Sequence, residues 1–272
     1  MPELPEVETV ARGLAQRVAG DIINTVWIGR KPEPLKSPAR KIAALLEGSR
    51  IANVRRVGKH IVVDLEEDGQ KPRGQWIVHL GMTGNLVLTS PDQQVPKHTH
   101  LIAQLASGRE LRFVDPRRFG RLSVHRAESA FKAPGSEPLD VDFESFARLF
   151  RGRKTPIKSA LLNQRLLSGV GNIYADEALF RAGVRPRRRA AKVTREELRR
   201  LYEALRKVLS EAIAAGGSSI SNYVDADGEE GLFQFDHRVY GREGEPCLSC
   251  RSPIKRVVIA GRSAHYCAHC QR

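Results

Sequence analysis

Two pairs of cysteines near the end of the chain have the spacing of a metal site. Cys247 and Cys250 form one Cys-x2-Cys motif, Cys267 and Cys270 form a second, and sixteen residues separate the two motifs. Four thiolates complete a closed tetrahedral shell around zinc, so this spacing predicts one structural Zn²⁺ with no open position for a substrate. Unligated thiols or a redox pair are the alternative. A disulfide framework is disfavoured because the cysteines are confined to one short segment.

The segment between the two motifs predicts a β-hairpin, because strand-forming apolar residues lie on both sides of Gly261. Arg262 follows this glycine at the expected tip, where a guanidinium can enter a groove or contact phosphates. An ordinary solvated arginine is the alternative for this position. His265 and His269 lie nearby, but the four cysteines already fill the coordination shell of a zinc ion.

A strong positive charge limits the classes of partner. The chain has 272 residues, with 45 Lys and Arg against 31 Asp and Glu, which gives a formal net charge of +14. Such a field attracts polyanions, and nucleic acid is the leading candidate, with a merely basic soluble protein as the alternative. The sequence lacks a long apolar run, a signal-like start and a basic amphipathic helix with a bulky apolar face. We therefore expect a cytoplasmic protein with no membrane partner.

The elements that must position these groups change in kind along the chain. An acidic start leads into a predicted helix whose apolar residues Val7, Val10 and Leu14 fall on one face and which ends near Gly20. Short β-rich segments separated by Gly, Pro, Asp and Ser then predict an antiparallel sandwich or barrel. The predicted strands are 51–57, 60–65, 76–80, 86–88, 101–105, 111–114 and 122–125.

Helices are predicted after the linker sequence APGSEP. Residues 142–150 form one short predicted helix, and residues 155–182 form two more that are interrupted at the sequence SGVGN. Thr194, followed three residues later by Glu197, predicts a capping box at the start of a long amphipathic helix. The polar segment 216–240 is too long for a simple connection within a compact domain, so we expect it to contain a functional loop.

The N-terminal sequence MPELPEVETV resembles the start of formamidopyrimidine-DNA glycosylases. Further segments match that family in the same order along nearly the whole chain: HLGMTG, DPRRFGR, IKSALLNQRLLSGVGNIYADEALF, VYGREGEPC and GRSAHYCAHCQR. The resemblance implies an α+β fold in three parts. These are an N-terminal catalytic β-sandwich flanked by helices (1–133), a helix-two-turns-helix DNA-binding domain with a lesion-recognition loop (134–236), and a C-terminal β-hairpin zinc finger (237–272).

The resemblance also implies a bifunctional base-excision-repair enzyme that removes oxidised purines from damaged double-stranded DNA. Pro2 would be the nucleophile once Met1 has been removed, because an amide nitrogen is inert. A free α-amine has a pKa of roughly 7.7 to 8.0, so an appreciable fraction is unprotonated at neutral pH. A secondary amine gives an iminium Schiff base that stays cationic, so one covalent intermediate links base removal to strand cleavage by β,δ-elimination.

Four further residues match catalytic positions of the family. The resemblance implies that Glu3 acts as an acid toward the deoxyribose ring and that Glu6 orients the N-terminus or shuttles protons. Favourable charge at a helix N-terminus is the alternative for both glutamates. Lys59 would contact the phosphate or base and donate a proton during β-elimination, its alternative being a surface lysine on a strand. Arg262 would bind phosphate and assist the δ step.

Seven residues match DNA-contact positions. The resemblance implies that three side chains fill the void left by a flipped nucleotide, with core packing as the alternative for the methionine and phenylalanine. These three are Met82, Arg117 and Phe119. The other four would contact the DNA backbone, and they are His98, Lys154, Lys158 and Asn172. A metal pair formed by the alternating His98 and His100 is a poor alternative because no third ligand is evident.

One segment departs from the family pattern. Ser221 and Asn222 occupy a stretch of the lesion-recognition loop where a basic residue is often found, which leaves open the preference between 8-oxoguanine and formamidopyrimidines. The pyrimidine-specific endonuclease VIII branch and a noncatalytic DNA-binding protein are the competing hypotheses. The start ELPEV favours the purine branch, and Pro2 beside Glu3 favours an enzyme. We expect a bacterial monomer, without an obligate protein partner, that associates with the nucleoid through DNA.

Overall fold

The computed structural model describes residues 1–67, 71–128, 130–220 and 223–272. The chain divides into two compact units. The N-terminal unit contains Met1–Lys132 together with Ala215–Leu232, and the helical unit contains Ala133–Ala214 together with Phe233–Arg272. Most of the predicted loop thus packs with the N-terminal unit, and the cysteine hairpin packs with the helices. The division into 1–133, 134–236 and 237–272 stays a prediction.

The N-terminal unit contains two four-stranded antiparallel sheets. The first sheet has the order β1-β6-β7-β5, formed by Ile23–Ile28, Thr99–Leu105, Glu110–Val114 and Asn85–Thr89. The second has the order β2-β3-β4-β8, formed by Arg50–Val57, His60–Glu67, Lys71–His79 and Arg121–Arg126. All seven strands predicted from the sequence are present, and the sandwich is confirmed.

A single apolar core joins both sheets to the flanking helices α1 (Leu4–Val18) and α2 (Ala39–Leu46). The predicted inward face of α1 is buried, as are Trp76 and Phe113 from opposite sheets. Strand β1 and helix α2 were not predicted. Only one β1 residue is buried, so its sequence lacks a clear alternation, and α2 begins after Pro38 without a side-chain cap.

The helical unit contains four α-helices and the cysteine hairpin. Its elements are α3 (Phe143–Phe150), α4 (Ile157–Leu161), α5 (Asn172–Ala182), α6 (Arg195–Ala214), β9 (Ile254–Ile259) and β10 (Arg262–Cys267). The predicted capping box of α6 is confirmed, since Thr194 Oγ1 accepts the Glu197 N–H at 3.2 Å and the Glu197 carboxylate accepts the Thr194 N–H at 2.8 Å. No helix in the described ranges is long and apolar enough to cross a membrane.

The helix before SGVGN is shorter than predicted, because α4 ends at Leu161 and turns follow up to α5. The Gln164 side chain pairs with backbone groups of the SGVGN segment. Its amide nitrogen donates to the carbonyl of Val170 at 2.7 Å, and its oxygen accepts the N–H of Gly169 at 2.9 Å. This local pairing holds the turn that leads into the N-terminus of α5.

Candidate active site and metal centre

The start of the chain is fixed by a capping box in which two buried glutamates bond each other's backbone. Glu3 is the N-cap of α1, and its carboxylate accepts the N–H of Glu6. In return, Glu6 Oε2 accepts the Glu3 N–H at 2.7 Å. The two residues are 3% and 1% exposed, and Pro2 before them is also buried. Reciprocal capping fixes the backbone at the first residues of the chain, where a reactive amine would lie.

The second oxygen of Glu6 extends this arrangement to the loop after α6. Glu6 Oε1 accepts the backbone N–H of Ser218 at 2.8 Å. Gly217, with φ of +84°, packs so closely that a Cβ at this position would lie 3.0 Å from Glu6. The hydroxyl of Tyr223 donates to the carbonyl of Gly216 at 3.0 Å. Burial is the largest cause that raises the pKa of Tyr223, and the nearby charge of Glu6 raises it further. The hydroxyl therefore stays protonated and can donate this hydrogen bond.

The same loop has a second anchor on the sandwich. Ala226 is buried, and its carbonyl accepts the N–H of Leu88 on β5 at 3.0 Å. Asp227 forms an ion pair with Arg17 of α1. The loop is therefore held at its base by Glu6 and again at residues 226–227. Ser221 and Asn222, where the sequence departs from the family pattern, lie between these anchors but outside the described residues.

Lys59 lies in the two-residue turn between β2 and β3, not on a strand, and it is only 7% exposed. Arg56 connects this turn to α1, since its Nη1 donates to the Gly58 carbonyl at 3.1 Å and its Nε donates to Glu8 at 2.7 Å. The alternative of an ordinary surface lysine therefore does not describe Lys59. The turn and the first helix are joined on one side of the sandwich.

A partly buried histidine beside Lys59 was not singled out from the sequence, although it begins the HLGMTG segment. The rings of His79 and His60 are 4.9 Å apart. Burial is the largest cause that lowers the pKa of His79, and electrostatic interactions with His60, Arg121 and Lys59 lower it further, to about 3. The imidazole is thus neutral at pH 7, and its Nδ1 accepts the N–H of Gly81 at 3.1 Å, which leaves the proton on Nε2.

The three predicted void-filling side chains are exposed on two loops of the N-terminal unit. Met82 is 38% exposed and Phe119 is 52% exposed, so core packing is not their role. The Arg117 guanidinium carbon lies 4.8 Å from the centroid of the Phe119 ring. A Cβ on Gly81 would lie 2.5 Å from the backbone of Gly120, so only glycine at position 81 lets the two loops approach this closely.

Asp115 organises these two loops and was missed by the sequence reasoning. Its carboxylate is fully buried and accepts the Thr83 hydroxyl at 2.6 Å, the Gly120 N–H at 2.7 Å and the Arg117 N–H at 3.2 Å. A buried carboxylate must satisfy its oxygens internally, so these bonds fix both loops. Its only signal in the sequence is its place before a proline in DPRRFGR, since its partner Thr83 is distant along the chain.

The two histidines of the alternative metal pair lie in different environments. His98 is exposed in the left-handed backbone region, with φ of 74°. His100 is buried, and its Nε2 lies 2.9 Å from the carbonyl oxygen of Asp115. Within the described ranges, the cysteines form the one side-chain group with the geometry to hold a metal. His98 keeps the exposure that a DNA contact requires.

Lys158 corrects a prediction. The resemblance implied a contact with DNA phosphate, but the side chain is fully buried in the helical unit. Its ammonium lies 2.6 Å from Asp176 Oδ1 and also donates to the carbonyl of Ser263. Asp176 Oδ2 accepts the backbone N–H of His265 at 2.8 Å. Lys158 thus joins α4 and α5 to the cysteine hairpin, and its charge is not available at the surface.

The other predicted contacts of the helical unit are accessible to different degrees. Lys154 is exposed just before α4, and Asn172 is half-buried as the first residue of α5. Arg262 is exposed at the tip of the hairpin, directly after the turn at Ala260 and Gly261. All three side chains are at least partly exposed.

Glu177 is a second buried carboxylate that sequence reasoning missed. It accepts the N–H groups of Arg238, Val239 and Tyr240 at 2.9 to 3.1 Å. Burial raises the pKa of Glu177, and the three amide bonds oppose that rise. The carboxylate therefore fixes the segment that enters the cysteine hairpin. The adjacent acidic residues Asp176 and Glu177, both buried in α5, were the available signal.

The four cysteine sulfurs form the predicted metal centre. All of them lie within 4.8 Å of one another, with 3.9 Å between Cys247 and Cys270 and 3.4 Å between Cys250 and Cys267. A tetrahedral zinc site with Zn–S bonds of about 2.3 Å requires sulfur separations of about 3.8 Å. The donor set and its spacing fit one structural Zn²⁺, as predicted. Bound there, the ion would hold both ends of the hairpin.

Three family models match the chain. They describe the formamidopyrimidine-DNA glycosylase N-terminal domain (residues 1–122), the formamidopyrimidine-DNA glycosylase H2TH domain (134–224), and a zinc finger found in FPG and IleRS (244–272). Formamidopyrimidine-DNA glycosylases of Solibacter usitatus and Desulfitobacterium hafniense are 48% and 43% identical, with the full length of each chain covered.

Solved structures give the same result. The MutM (Fpg) protein of Thermus thermophilus matches with a TM-score of 0.87 at 45% identity, covering 99% of this chain and 98% of that one. The Lactococcus lactis Fpg in complex with DNA containing an abasic site matches with a TM-score of 0.90 at 32% identity, covering 99% of each chain.

Proposed function

The chain belongs to the formamidopyrimidine-DNA glycosylase family, and from this membership we propose that it excises oxidised purines from damaged double-stranded DNA and then cleaves the abasic site. Family relatives are named for the glycosylase activity, and the Lactococcus lactis protein was solved with Fapy-dG DNA and with abasic DNA. The observation that carries the proposal is the buried capping box at the N-terminus, whose second carboxylate also holds the base of the loop after α6.

Pro2 is the proposed nucleophile, after removal of Met1. Its nitrogen would attack the sugar C1′, and the bond between C1′ and the damaged base would break with its electrons leaving on the base. Opening of the ring gives an iminium between Pro2 and C1′. The iminium acidifies the C2′ hydrogen, so loss of this proton expels the 3′ phosphate, and a second elimination expels the 5′ phosphate. Hydrolysis then returns the free amine.

Three side chains would serve this reaction. Glu3 is the proposed proton donor to the ring oxygen as the sugar opens, since it follows the nucleophile directly. Lys59, in the turn that Arg56 joins to α1, would contact the phosphate or base and donate a proton during β-elimination. Glu6 is a positioning residue in this scheme, because both of its oxygens accept backbone N–H groups.

The exposed loops of the sandwich would open the duplex. Flipping a nucleotide costs a few kcal/mol, and filling the vacated space offsets that cost. Met82 and Phe119 are the proposed stacking replacements, with Arg117 addressing the orphaned cytosine. Their exposure and the support from Asp115 favour this assignment.

The helical unit would bind the backbone phosphates. Lys154, Asn172 and Arg262 are accessible, and His98 adds a contact from the N-terminal unit. The turn also leads into the N-terminus of α5, and the N-terminus of a helix favours an anion. A zinc ion held by the four cysteines would close the hairpin that carries Arg262, so its contribution to the reaction is structural.

Borohydride trapping tests the covalent mechanism. Reduction freezes an iminium as a stable adduct, so the wild-type protein is expected to be trapped on a duplex with 8-oxoguanine opposite cytosine and to leave a one-nucleotide gap. Pro2→Gly supplies a primary amine at the same position and should trap less adduct. Binding without an adduct, on this duplex or on an abasic one, would contradict the enzymatic function and favour a noncatalytic DNA-binding protein. Preferential cleavage at oxidised pyrimidines would assign the protein to the endonuclease VIII branch.

A further inference from the structure

A cluster of cations in the helical unit surrounds Lys154 and extends beyond the phosphate contacts proposed above. Two short segments, 151–155 and 185–192, together contain eight Lys and Arg residues and no Asp or Glu. Seven of these residues are exposed to solvent, and the six other than Arg185 are here called the basic strip. The basic strip consists of Arg151, Arg153, Lys154, Arg187, Arg189 and Lys192.

Backbone pairing brings the two segments together. The N–H of Ile157 donates to the carbonyl of Arg188 at 2.7 Å, and the N–H of Ala190 donates to the carbonyl of Thr155 at 2.9 Å. The N–H of Ala191 donates to the carbonyl of Arg153, also at 2.9 Å. These bonds hold two runs of like charge side by side, although twenty-nine residues separate them in the sequence. The fold, not only the sequence, concentrates the charge.

The remaining two cations bond to other parts of the helical unit. Arg185 is exposed but donates to the carbonyls of Gln271 and Ala268, both at 2.8 Å. Arg188 is half-buried and pairs with Glu197, and this hydrogen bond is the largest cause that lowers the pKa of the Glu197 carboxyl to about 2. These two arginines fasten the segment to the rest of the unit.

No member of the basic strip forms an ion pair within the described part of the chain. Its one side-chain hydrogen bond runs from Arg153 Nε to the carbonyl of Leu149 at 2.5 Å. Like charges held together repel one another, and a polyanion relieves that repulsion while releasing its own counterions. Among the described residues, the large exposed apolar side chains all lie outside the two segments, which disfavours a membrane surface.

We propose that the basic strip binds backbone phosphates of undamaged duplex DNA and so extends the contact beyond the damaged nucleotide. The inference rests on the proposed DNA substrate and extends the phosphate contact proposed for Lys154 to a larger, sequence-independent surface. Arginine guanidinium groups suit this role, because each can present two N–H groups to a phosphate. The surface would raise affinity for any duplex and hold the protein on DNA while it searches for damage.

The test compares two double variants with the same loss of charge. Arg187→Gln/Arg189→Gln alters the basic strip, whereas Arg200→Gln/Lys207→Gln removes two exposed cations of α6 that pair with glutamates on the same helix. The measurement is the affinity for a long undamaged duplex over a range of salt concentrations. The slope of log K against log[salt] falls by about 0.9 for each phosphate that the protein no longer neutralises, so the strip variant should lose about 1.8 and the control close to zero.

Equal slopes for wild type and the strip variant, or equal losses in both variants, would overturn the proposal. A loss of binding to anionic vesicles or to RNA with an unchanged slope on duplex DNA would also overturn it. Arg187→Lys/Arg189→Lys should keep most of the slope, since the charge remains. Borohydride trapping on a short damaged duplex is expected to be near wild type in every variant, so a failure of the enzymatic mechanism is seen separately. Thermal melting checks that all variants are folded.

Discussion

Lys59 and Lys158 are both buried lysines that match DNA-contact or catalytic positions of the family, yet the two units use them differently. Lys59 lies in a tight turn of the N-terminal unit, near the neutral imidazole of His79. Lys158 lies between helices of the other unit and pairs with the buried carboxylate of Asp176. The first lies between two strands of a sheet, whereas the second joins two helices through a buried ion pair.

Buried charged residues make different contacts in the two units. In the N-terminal unit, the buried carboxylates of Glu6 and Asp115 accept backbone N–H groups of loops. Buried charges in the helical unit fasten secondary structure elements to each other, as Asp176 and Glu177 do for the cysteine hairpin. Burial alone therefore does not separate a lysine proposed to be catalytic from a structural one, whereas the position of each lysine in the fold does.

The largest expected effect is on stability, from Lys158→Met. This change leaves the Asp176 carboxylate buried without its ammonium partner, which costs about 3 to 5 kcal/mol of unfolding free energy. Urea unfolding of the two proteins measures the difference. Lys158→Met/Asp176→Asn should recover much of the loss, because the amide is neutral and its oxygen still accepts the His265 N–H. A single variant as stable as wild type would contradict the structural role of the pair.

The second expected effect is on catalysis, from Lys59→Met. General acid contributions are typically 100-fold or more, so β-elimination at an abasic site should slow by at least about 100-fold. The unfolding free energy should change less than it does in Lys158→Met, because methionine replaces the apolar stem of the lysine. Single-turnover cleavage and urea unfolding on the same sample measure both quantities. A large loss of stability with intact cleavage would show that Lys59, like Lys158, has a structural role and not a catalytic one.

Local signals in the sequence predicted much of the fold. Turn residues between apolar runs marked seven strands, and the pair Thr194 and Glu197 marked the start of α6, because both kinds of signal act over a few residues. The metal centre was predictable for the same reason, since each Cys-x2-Cys motif supplies two ligands from one turn. Strand β1 and helix α2 depend on packing against distant elements, and they were missed.

Partners distant in sequence explain the errors at the site. The partner of Lys158 is eighteen residues away on another helix, and nothing in the motif distinguishes a buried lysine from an exposed one. Asp115 is joined to Thr83 across two loops, a contact that only the folded sandwich creates. The exposure of Met82 and Phe119 was foreseen from adjacent glycines, which act locally.

The third prediction concerns the contact between Glu6 and the loop after α6. Gly217→Ala and Gly228→Ala both place alanine at a φ near +85°, which costs about 1 kcal/mol by itself. Only the alanine at position 217 would also press on Glu6, so we expect this variant to lose about 1 kcal/mol more and to slow excision of 8-oxoguanine. Urea unfolding and single-turnover excision compare the pair. Equal stability and equal excision rates of the two variants would show that the close contact between position 217 and Glu6 does not affect the N-terminus.

The smallest expected effect tests the neutral histidine beside Lys59. The pKa of His79 is about 3 in the folded protein and near 6.5 when unfolded, so below pH 6.5 the unfolded chain binds a proton that the folded protein does not. Stability is therefore lost as the pH falls toward 3, by about 0.7 kcal/mol between pH 7 and pH 6. His79→Gln should remove this part of the decline, whereas His98→Gln, at an exposed position, should retain it. Urea unfolding at both pH values measures the difference, and an unchanged decline in His79→Gln would mean that His79 is charged in the folded protein. In that case Lys59 would have a charged imidazole nearby, whereas Lys158 has the carboxylate of Asp176.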